Sequence, residues 1–177
     1  MNNKIYTDYI KTPIGEMFAG ANDDGLCLLE FTDRPALPKE LDDLKKLLNA
    51  GIVEGGHYII DIVKKQIEEY FNGTRKEFDI QLNFPGTYFQ KNVWAALRKI
   101  PYGKTWSYKD LAMLVGNMDS VRAVGKANGE NRIAIIIPCH RIIGANGDLV
   151  GYGGGLWRKH YLLEFESKVE NNYSLFD

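Results

Sequence analysis

Residues 133–144 read IAIIIPCHRIIG, an apolar run that ends at a proline and continues into a thiol, an imidazole and a guanidinium. The β-branched residues of the run predict a buried strand, which would place Cys139 at the mouth of a packed core. A thiolate is a strong nucleophile, and a neighbouring cation or base favours its formation. The alternative interpretation of Cys139 is a small buried hydrophobic residue.

The composition is that of an ordinary soluble globular protein, with 45% hydrophobic and 25% charged residues in 177. The two cysteines, Cys27 and Cys139, lie in different contexts, and neither has neighbours at the spacing of metal ligands. No apolar run approaches the ~20 residues that a membrane helix needs. The N-terminus opens into a strand pattern without a signal peptide. We therefore expect a cytoplasmic protein with no metal, no disulfide and no membrane association.

The net charge of −1 hides an asymmetry between the two halves of the chain. Residues 1–86 carry 10 Lys and Arg against 15 Asp and Glu, whereas residues 87–166 carry 11 against 6. A basic half is the electrostatic footprint of a polyanion such as nucleic acid. Chance produces a comparable asymmetry in many proteins, so charge alone leaves the partner open.

The N-terminal part of the chain predicts a small α/β domain. Three strands of an antiparallel meander, separated by turn signals, are predicted at residues 4–10, 16–21 and 26–31. A short amphipathic helix follows at 41–48, and residues 57–72 predict a second helix with one apolar face. Residues 78–82 read as one more strand. No catalytic constellation occurs here, and we assign residues 1–83 to a supporting domain.

A second, mainly helical domain is predicted after the turn-forming residues 83–86, and we assign it residues 87–177. Its first helix starts with a capping box at Thr87 and Gln90. Ser107 begins a further helix with a second capping signature. These local signals fix where the helices start, but they do not indicate a function.

Two short helices joined by a glycine turn, at about 107–115 and 119–128, predict a helix-turn-helix. Many helical hairpins bind no DNA, so this pattern is suggestive rather than decisive. The second helix carries Arg122 and Lys126 on one side, and small residues such as Ala123 would let a partner approach its backbone closely. The residues predicted to face the core are Val121, Val124 and Ala127.

A glycine-rich loop at 151–155 and a final helix at 156–166 follow the cysteine. The loop lacks the spacing of nucleotide-binding motifs, so we interpret it as a flexible wall over a pocket. Residues 167–177 predict a loose polar tail.

These motifs resemble the active-site region of the methylated-DNA–protein-cysteine methyltransferases, which repair alkylated guanine. The resemblance is dense between about Thr87 and Glu166 and weaker in the N-terminal half. Beyond the cysteine stretch it rests on segments 122–125, 128–131, 151–156, 158–159 and 162–163. It implies an α+β protein, in which a ribonuclease H-like antiparallel sheet with a helix precedes a helical domain with a winged-helix-like helix-turn-helix.

The resemblance implies that Cys139 takes the alkyl group from O6 of guanine, and from O4 of thymine, in a single turnover without a cofactor. The family activates its thiol by a cysteine, water, histidine and glutamate relay, to which Cys139, His140 and Glu166 correspond. Adjacent side chains in an extended segment point to opposite sides, so we expect a bridging water rather than direct Cys–His contact. Tyr108 matches the tyrosine that helps to protonate the leaving base. Asn131 matches the asparagine that braces the turn before the cysteine.

The resemblance also implies that the protein binds double-stranded DNA through the minor groove, as a monomer, and rotates the damaged base out of the stack. Arg122 matches the arginine that fills the vacated stack, and a plain phosphate contact is the alternative for this residue. The residues expected to bind DNA are Arg122, Ala123, Lys126 and Ser107. The residues expected to line the base pocket are Ile142, Tyr152, Gly153 and Gly154.

Two other functions stay open at this point. A lesion-binding module would flag alkylated bases without reacting, but proteins of that kind replace the nucleophile, and Cys139 is present. A thiol hydrolase would turn over acyl substrates and would need a base from elsewhere. The chain also departs from the family pattern at Arg132, where proline is usual, and at Gly153, where a small residue with a side chain is common.

Overall fold

The computed structural model describes residues 3–116 and 118–173. The chain divides into two compact units, Met1–Gly86 and Thr87–Asp177. The described elements of the first unit are β1 (Asn3–Thr12), β2 (Gly15–Asn22), β3 (Gly25–Phe31), α1 (Leu37–Leu47), β4 (Ala50–Glu54) and α2 (Tyr58–Phe71). Those of the second are α3 (Tyr88–Leu97), β5 (Trp106–Ser107), α4 (Tyr108–Leu114), α5 (Val121–Gly129), β6 (Ile142–Ile143) and α6 (Leu156–Tyr173), with 3-10 turns at Met118–Ser120 and Cys139–Arg141. The predicted α+β class is confirmed.

The sheet of the first unit has the strand order β3-β2-β1-β4. Strands β1, β2 and β3 form the predicted antiparallel meander, and β4 pairs parallel to β1. Every side chain of β3 is buried, because α1 and α2 both contact this strand. Ile5, Leu28 and Leu44 belong to the core that α1 closes, and burial of such side chains is the main force that holds the unit together.

The region between β3 and α2 differs from its prediction. The helix predicted at 41–48 instead begins at Leu37. Pro38 is tolerated in its first turn, because the N–H that proline lacks would make no helical hydrogen bond there. The stretch after this helix, Ala50–Glu54, contains a glycine and forms strand β4, which the sequence did not predict. This strand was not evident from the sequence because its partner is β1, at the far end of the unit.

The strand predicted at 78–82 is wrong. Leu82 forms only an isolated parallel bridge with Leu26, which does not extend into a ladder. The Gln66 side chain instead binds the backbone of Asp79, accepting from its N–H at 2.9 Å and donating to its carbonyl at 3.0 Å. A side chain thus supplies the hydrogen bonds that a neighbouring strand would have made.

The predicted starts of α3 and α4 are confirmed. Thr87 accepts from the Gln90 N–H in a reciprocal capping box, and Ser107 and Asp110 cap α4 in the same way. Each box satisfies backbone donors that the first helical turn leaves without partners.

The helix-turn-helix consists of α4 and α5, and α3 packs against both. Trp94 of α3 donates its indole N–H to the Ala127 carbonyl of α5 at 2.8 Å. Val124 and Ala127 are buried as predicted, but Val121 is 37% exposed and does not face the core. Val121 is the first residue of α5, directly after the 3-10 turn Met118–Ser120. Asn117, in the predicted turn, lies outside the described residues.

Helix α6 continues to Tyr173, so residues 167–173 are helical rather than a loose tail. Gly103, at φ +69°, packs against this extension, and a Cβ there would lie 3.2 Å from the Glu170 Cβ. Residues 174–177 of the predicted tail lie outside the described residues. None of the described helices, α6 included, is long and apolar enough to cross a membrane.

Candidate active site

Residues 133–137 are buried, but Ile133 is a single bridge residue, 134–136 form a turn and Ile137 lies in a bend, so the predicted continuous strand is absent from this stretch. Asn131 explains the difference. Its Oδ1 accepts from the Ile133 N–H at 3.0 Å, and its Nδ2 donates to the carbonyls of Ile133 and Ile137 at 3.3 and 2.9 Å. Because the amide satisfies backbone groups that a sheet partner would otherwise bind, the run can be buried without a continuous strand partner. Ile135 adopts φ +70° inside the turn.

The Cys139 side chain lies where this turn ends and is 7% exposed. Nδ2 of Asn131 also donates to its Sγ, at 3.2 Å, and an N–H aimed at sulfur favours the thiolate. The extended conformation expected for Cys139 and His140 is wrong, because both residues lie in the 3-10 turn Cys139–Arg141. The same asparagine therefore shapes the turn and contacts the thiol.

The structure brings His140 and Glu166 together in the interior, with Nε2 2.8 Å from Oε1. Arg141 donates to both oxygens of this carboxylate at 2.9 and 3.0 Å, and the Gly103 N–H donates to Oε2 at 3.1 Å. Burial raises the pKa of Glu166, but His140 and Arg141 outweigh burial and hold the pKa below its usual value. Burial lowers the pKa of His140, and Glu166 offsets part of that change. A neutral imidazole therefore faces a charged carboxylate.

Arg141 is anchored on two further sides. It donates to the Ile100 carbonyl at 2.7 Å, and its guanidinium lies 5.5 Å from the centre of the Tyr102 ring. This fixes the carboxylate that Arg141 binds, and through it the imidazole plane of His140. Nδ1 of His140 is buried and has no hydrogen-bond partner among the described residues. One ring nitrogen is therefore fixed by Glu166, and the other remains available for proton transfer.

Lys159 and Tyr108 hold the start of the glycine-rich loop. The Lys159 ammonium donates to the carbonyls of Val150 and Gly151 at 2.7 and 3.3 Å, and the Tyr108 hydroxyl donates to the Val150 carbonyl at 3.2 Å. Burial lowers the pKa of Lys159 to about 8 and raises the pKa of Tyr108, and the charge of a Cys139 thiolate raises both. Lys159 and Tyr108 thus lie within electrostatic reach of the sulfur.

The four residues expected in the base pocket lie in different surroundings. Ile142 is buried in β6, where it pairs with Trp106 of β5. Tyr152 is half-buried, Gly153 is exposed and Gly154 is buried. The loop therefore combines an anchored edge with an exposed centre, which suits the wall of a pocket that admits a ligand.

The residues expected to bind DNA lie on the helix-turn-helix. Arg122 and Ala123 are exposed on α5. The Lys126 side chain is 79% exposed, with its ammonium 3.5 Å from the Glu130 carboxylate. Ser107 is half-buried and uses its hydroxyl in the cap of α4. Arg122 and Lys126 therefore present positive charge on an accessible helix face, whereas Ser107 has a structural role already.

Two family models match the chain. Residues 88–168 match the DNA-binding domain of 6-O-methylguanine DNA methyltransferase, and residues 5–84 match the ribonuclease-like domain of the same protein. This chain belongs to the methylated-DNA–protein-cysteine methyltransferase family. The family predicted from the sequence is confirmed, and DNA is its partner.

Individual relatives of this family agree over nearly their whole length. The methylated-DNA–protein-cysteine methyltransferase of Methanosarcina barkeri is 42% identical, covering 95% of this chain and 99% of its own. A crystal structure of the O6-methylguanine methyltransferase of Mycobacterium tuberculosis is 39% identical and superposes with a TM-score of 0.81, covering 98% and 99% of the two chains. A structure of the tuberculosis protein in complex with DNA covers 94% of each chain with a TM-score of 0.78.

Sequence reasoning assigns no function to Lys159 and treats Arg141 only as a polarising neighbour of the thiol. The sequence does contain a signal for Lys159. It lies beside Arg158 in the first turn of α6, where the helix dipole disfavours positive charge. A cation in such a position needs another interaction to offset the unfavourable dipole. Arg132, which departs from the family pattern, lies 5.8 Å from the centre of the Trp94 ring.

Proposed function

We propose that this methyltransferase repairs DNA by direct reversal, moving the alkyl group from O6 of guanine, and from O4 of thymine, to its own Cys139. The observation that carries the proposal is the Asn131 amide 3.2 Å from the Cys139 sulfur, next to the buried pair of His140 and Glu166. A hydrogen-bonded thiol beside an oriented imidazole is the arrangement that nucleophilic transfer requires. Membership of the family supports the same reaction.

We propose that the thiol proton leaves through His140. A water molecule between the Cys139 sulfur and Nδ1 of His140 would carry the proton to the neutral imidazole. Glu166 then stabilises the imidazolium, and Arg141 keeps that carboxylate ionised. Lys159 adds positive charge near the sulfur and favours the thiolate further.

The thiolate attacks the alkyl carbon in line with the bond to O6. The C–S bond forms as the C–O bond breaks, and the electron pair stays on the guanine. Tyr108 donates a proton to the leaving base and is reprotonated from the imidazolium through solvent, so the proton lost by the thiol ends on guanine. The thioether at Cys139 has no hydrolytic exit, so each molecule acts once.

The target carbon lies inside the duplex, so the base has to rotate into the protein. We propose that α5 approaches from the minor groove and that Arg122 replaces the extruded base in the stack. The residues proposed to contact the DNA around it are Ala123, Lys126 and Ser107. The residues proposed to surround the base are Ile142, Tyr152, Gly153 and Gly154. A monomer suffices, because one chain supplies all of these groups.

We further propose a cytoplasmic location, since the reaction consumes a free thiol. Cys27 and Cys139 both carry thiols rather than disulfide sulfurs, and a reducing compartment keeps thiols in that form.

Intact mass spectrometry tests the proposed function. Wild-type protein incubated with a duplex containing O6-methylguanine is expected to gain the mass of one CH₂ unit, mapped to Cys139, and a second portion of duplex should add nothing. Tight binding without any gain would instead favour a lesion-flagging module. Release of more than one methyl group per protein molecule would contradict the single turnover.

Arg122→Ala is expected to slow methyl transfer by about a hundredfold even at saturating DNA. Rotating the base out of the duplex costs a few kcal/mol of stacking and pairing energy. The Arg122 side chain offsets part of this cost, and each 1.4 kcal/mol that it no longer offsets lowers the rate about tenfold. Single-turnover rates on methylated duplex, measured well above the dissociation constant, give the comparison.

Two variants separate stacking by Arg122 from simple charge. Arg122→Lys keeps the charge without the planar side chain, so it should remain slow at saturation. Lys109→Ala removes an exposed cation of α4 and should keep the wild-type rate. Full recovery of the rate by Arg122→Lys would show that Arg122 is a phosphate contact.

A further inference from the structure

Arg158 lies between an exposed ring and the glycine-rich loop. Its guanidinium donates to the Gly154 carbonyl at 2.9 Å and lies 4.6 Å from the centre of the Trp157 ring. The Trp157 side chain is 57% exposed, whereas Arg158 is 5% exposed. The ring thus covers a cation that holds the loop, and we call Trp157, Arg158 and Gly154 the loop clamp.

The loop clamp completes a set of anchors along residues 150–155. Lys159 and Tyr108 hold the start of the loop at the Val150 carbonyl, and the clamp holds its end. Gly153, between these anchors, is exposed. A glycine-rich backbone has high conformational entropy when it is free, so these side-chain contacts determine how narrowly its conformation is defined.

The local energetics of α6 indicate that the clamp is a specific feature. Arg158 and Lys159 lie in the first helical turn, where positive charge opposes the helix dipole. A buried guanidinium also loses hydration, and stacking on an aromatic face and a carbonyl acceptor offset that loss. Trp157 lies at the surface beside this cation, and its ring also flanks the backbone of Gly155, where a Cβ would lie 3.4 Å from the indole.

We propose that Trp157 is a positioning residue that sets which alkyl groups the pocket accepts, by holding Arg158 against Gly154. The inference rests on the proposed alkyl transfer to Cys139. In this proposal the clamped loop leaves room for a methyl group. A benzyl group has to displace the loop, which breaks the contacts of the loop clamp and so slows transfer of the benzyl group relative to the methyl group. Removing the ring removes this difference between the two substrates.

The experiment compares single-turnover rates on duplexes containing O6-methylguanine and O6-benzylguanine, both at saturation. Trp157→Ala is expected to lower the methyl-to-benzyl rate ratio by about 2- to 30-fold, the factor to which a cation–π contact corresponds. Trp157→Phe keeps a ring and should restore most of the ratio. Arg158→Lys should act in the same direction as Trp157→Ala, because an ammonium cannot present a planar stack. Leu156→Ala removes a neighbouring exposed side chain and should leave the ratio unchanged.

Hydrogen exchange supplies a second readout that does not depend on activity. Amides 151–155 of Trp157→Ala are expected to exchange faster than in the wild type, while the amides of α6 keep their protection. An unchanged ratio and unchanged exchange would overturn the proposal. Lower DNA affinity with an unchanged ratio would place Trp157 against the DNA, and would overturn it equally. Failure of wild-type protein to gain any alkyl group would instead contradict the proposed function.

Discussion

The Cys139→Ser protein is expected to bind methylated duplex with wild-type affinity and to leave the methyl group on the DNA. Serine keeps the size and hydrogen-bonding capacity of the side chain, and Asn131 can still donate to its oxygen. A hydroxyl, however, is not ionised at neutral pH and is a weak nucleophile without a strong base. The expected result is a complete loss of transfer, measured as the absence of a CH₂ mass gain.

Cys27→Ser is the matched control. Cys27 is also a buried thiol, but it lies in β3, and its sulfur donates to the Gly20 carbonyl at 3.3 Å. At Cys139, by contrast, the Asn131 amide donates to the sulfur and His140 is the next residue. Cys27→Ser should transfer one methyl group at the wild-type rate. Methylation that persists in Cys139→Ser and disappears in Cys27→Ser would reverse the assignment of the nucleophile.

The sequence predicts those parts of the fold that depend on neighbouring residues. The capping boxes at Thr87 and Ser107 are complete within four residues, so their local chemistry determines where α3 and α4 start. Strand β4 depends on a partner at the other end of the unit, and no local pattern contains that information. The apolar run at 133–137 has the composition of a strand, but the Asn131 side chain satisfies its backbone instead.

The residues of the candidate site also fall into those that the sequence identifies and those that only the folded structure brings together. Cys139 and His140 can be selected as candidates because they are adjacent in a motif, and Glu166 through the resemblance to a family. The contact between Glu166 and His140 joins residues 26 positions apart in the sequence. It forms because helix α6 carries Glu166 back to the 3-10 turn that contains His140. The burial of Lys159 could not be predicted, because lysine is almost never fully buried. Its ammonium is accommodated by backbone carbonyls whose positions depend on the folded loop.

Glu166→Gln is expected to destabilise the protein by about 3–5 kcal/mol at neutral pH, because it leaves the Arg141 guanidinium buried without its counter-charge. The same change removes the carboxylate that stabilises a protonated His140. Methyl transfer at saturating DNA should therefore slow by about a hundredfold or more, the usual contribution of acid–base catalysis. Urea unfolding gives the stability, and single-turnover rates on folded protein give the catalytic effect. A variant that reacts at the wild-type rate would exclude the Glu166 carboxylate from thiol activation.

The difference in unfolding free energy between wild type and Glu166→Gln should depend on pH, and this dependence identifies the carboxylate as its source. The pKa of Glu166 in the folded protein is held below the ordinary value of 4.5. A depressed carboxylate pKa contributes stability that is present above the unfolded-state pKa and is lost as the pH falls through the folded-state value. The gap in unfolding free energy between wild type and Glu166→Gln should thus be largest near neutrality and shrink on acidification below pH 4.5. Glu164→Gln, on the same helix with a side chain 55% exposed, should show a small gap. An equally large gap for Glu164→Gln, or one for Glu166→Gln that does not change with pH, would contradict this account of the buried pair.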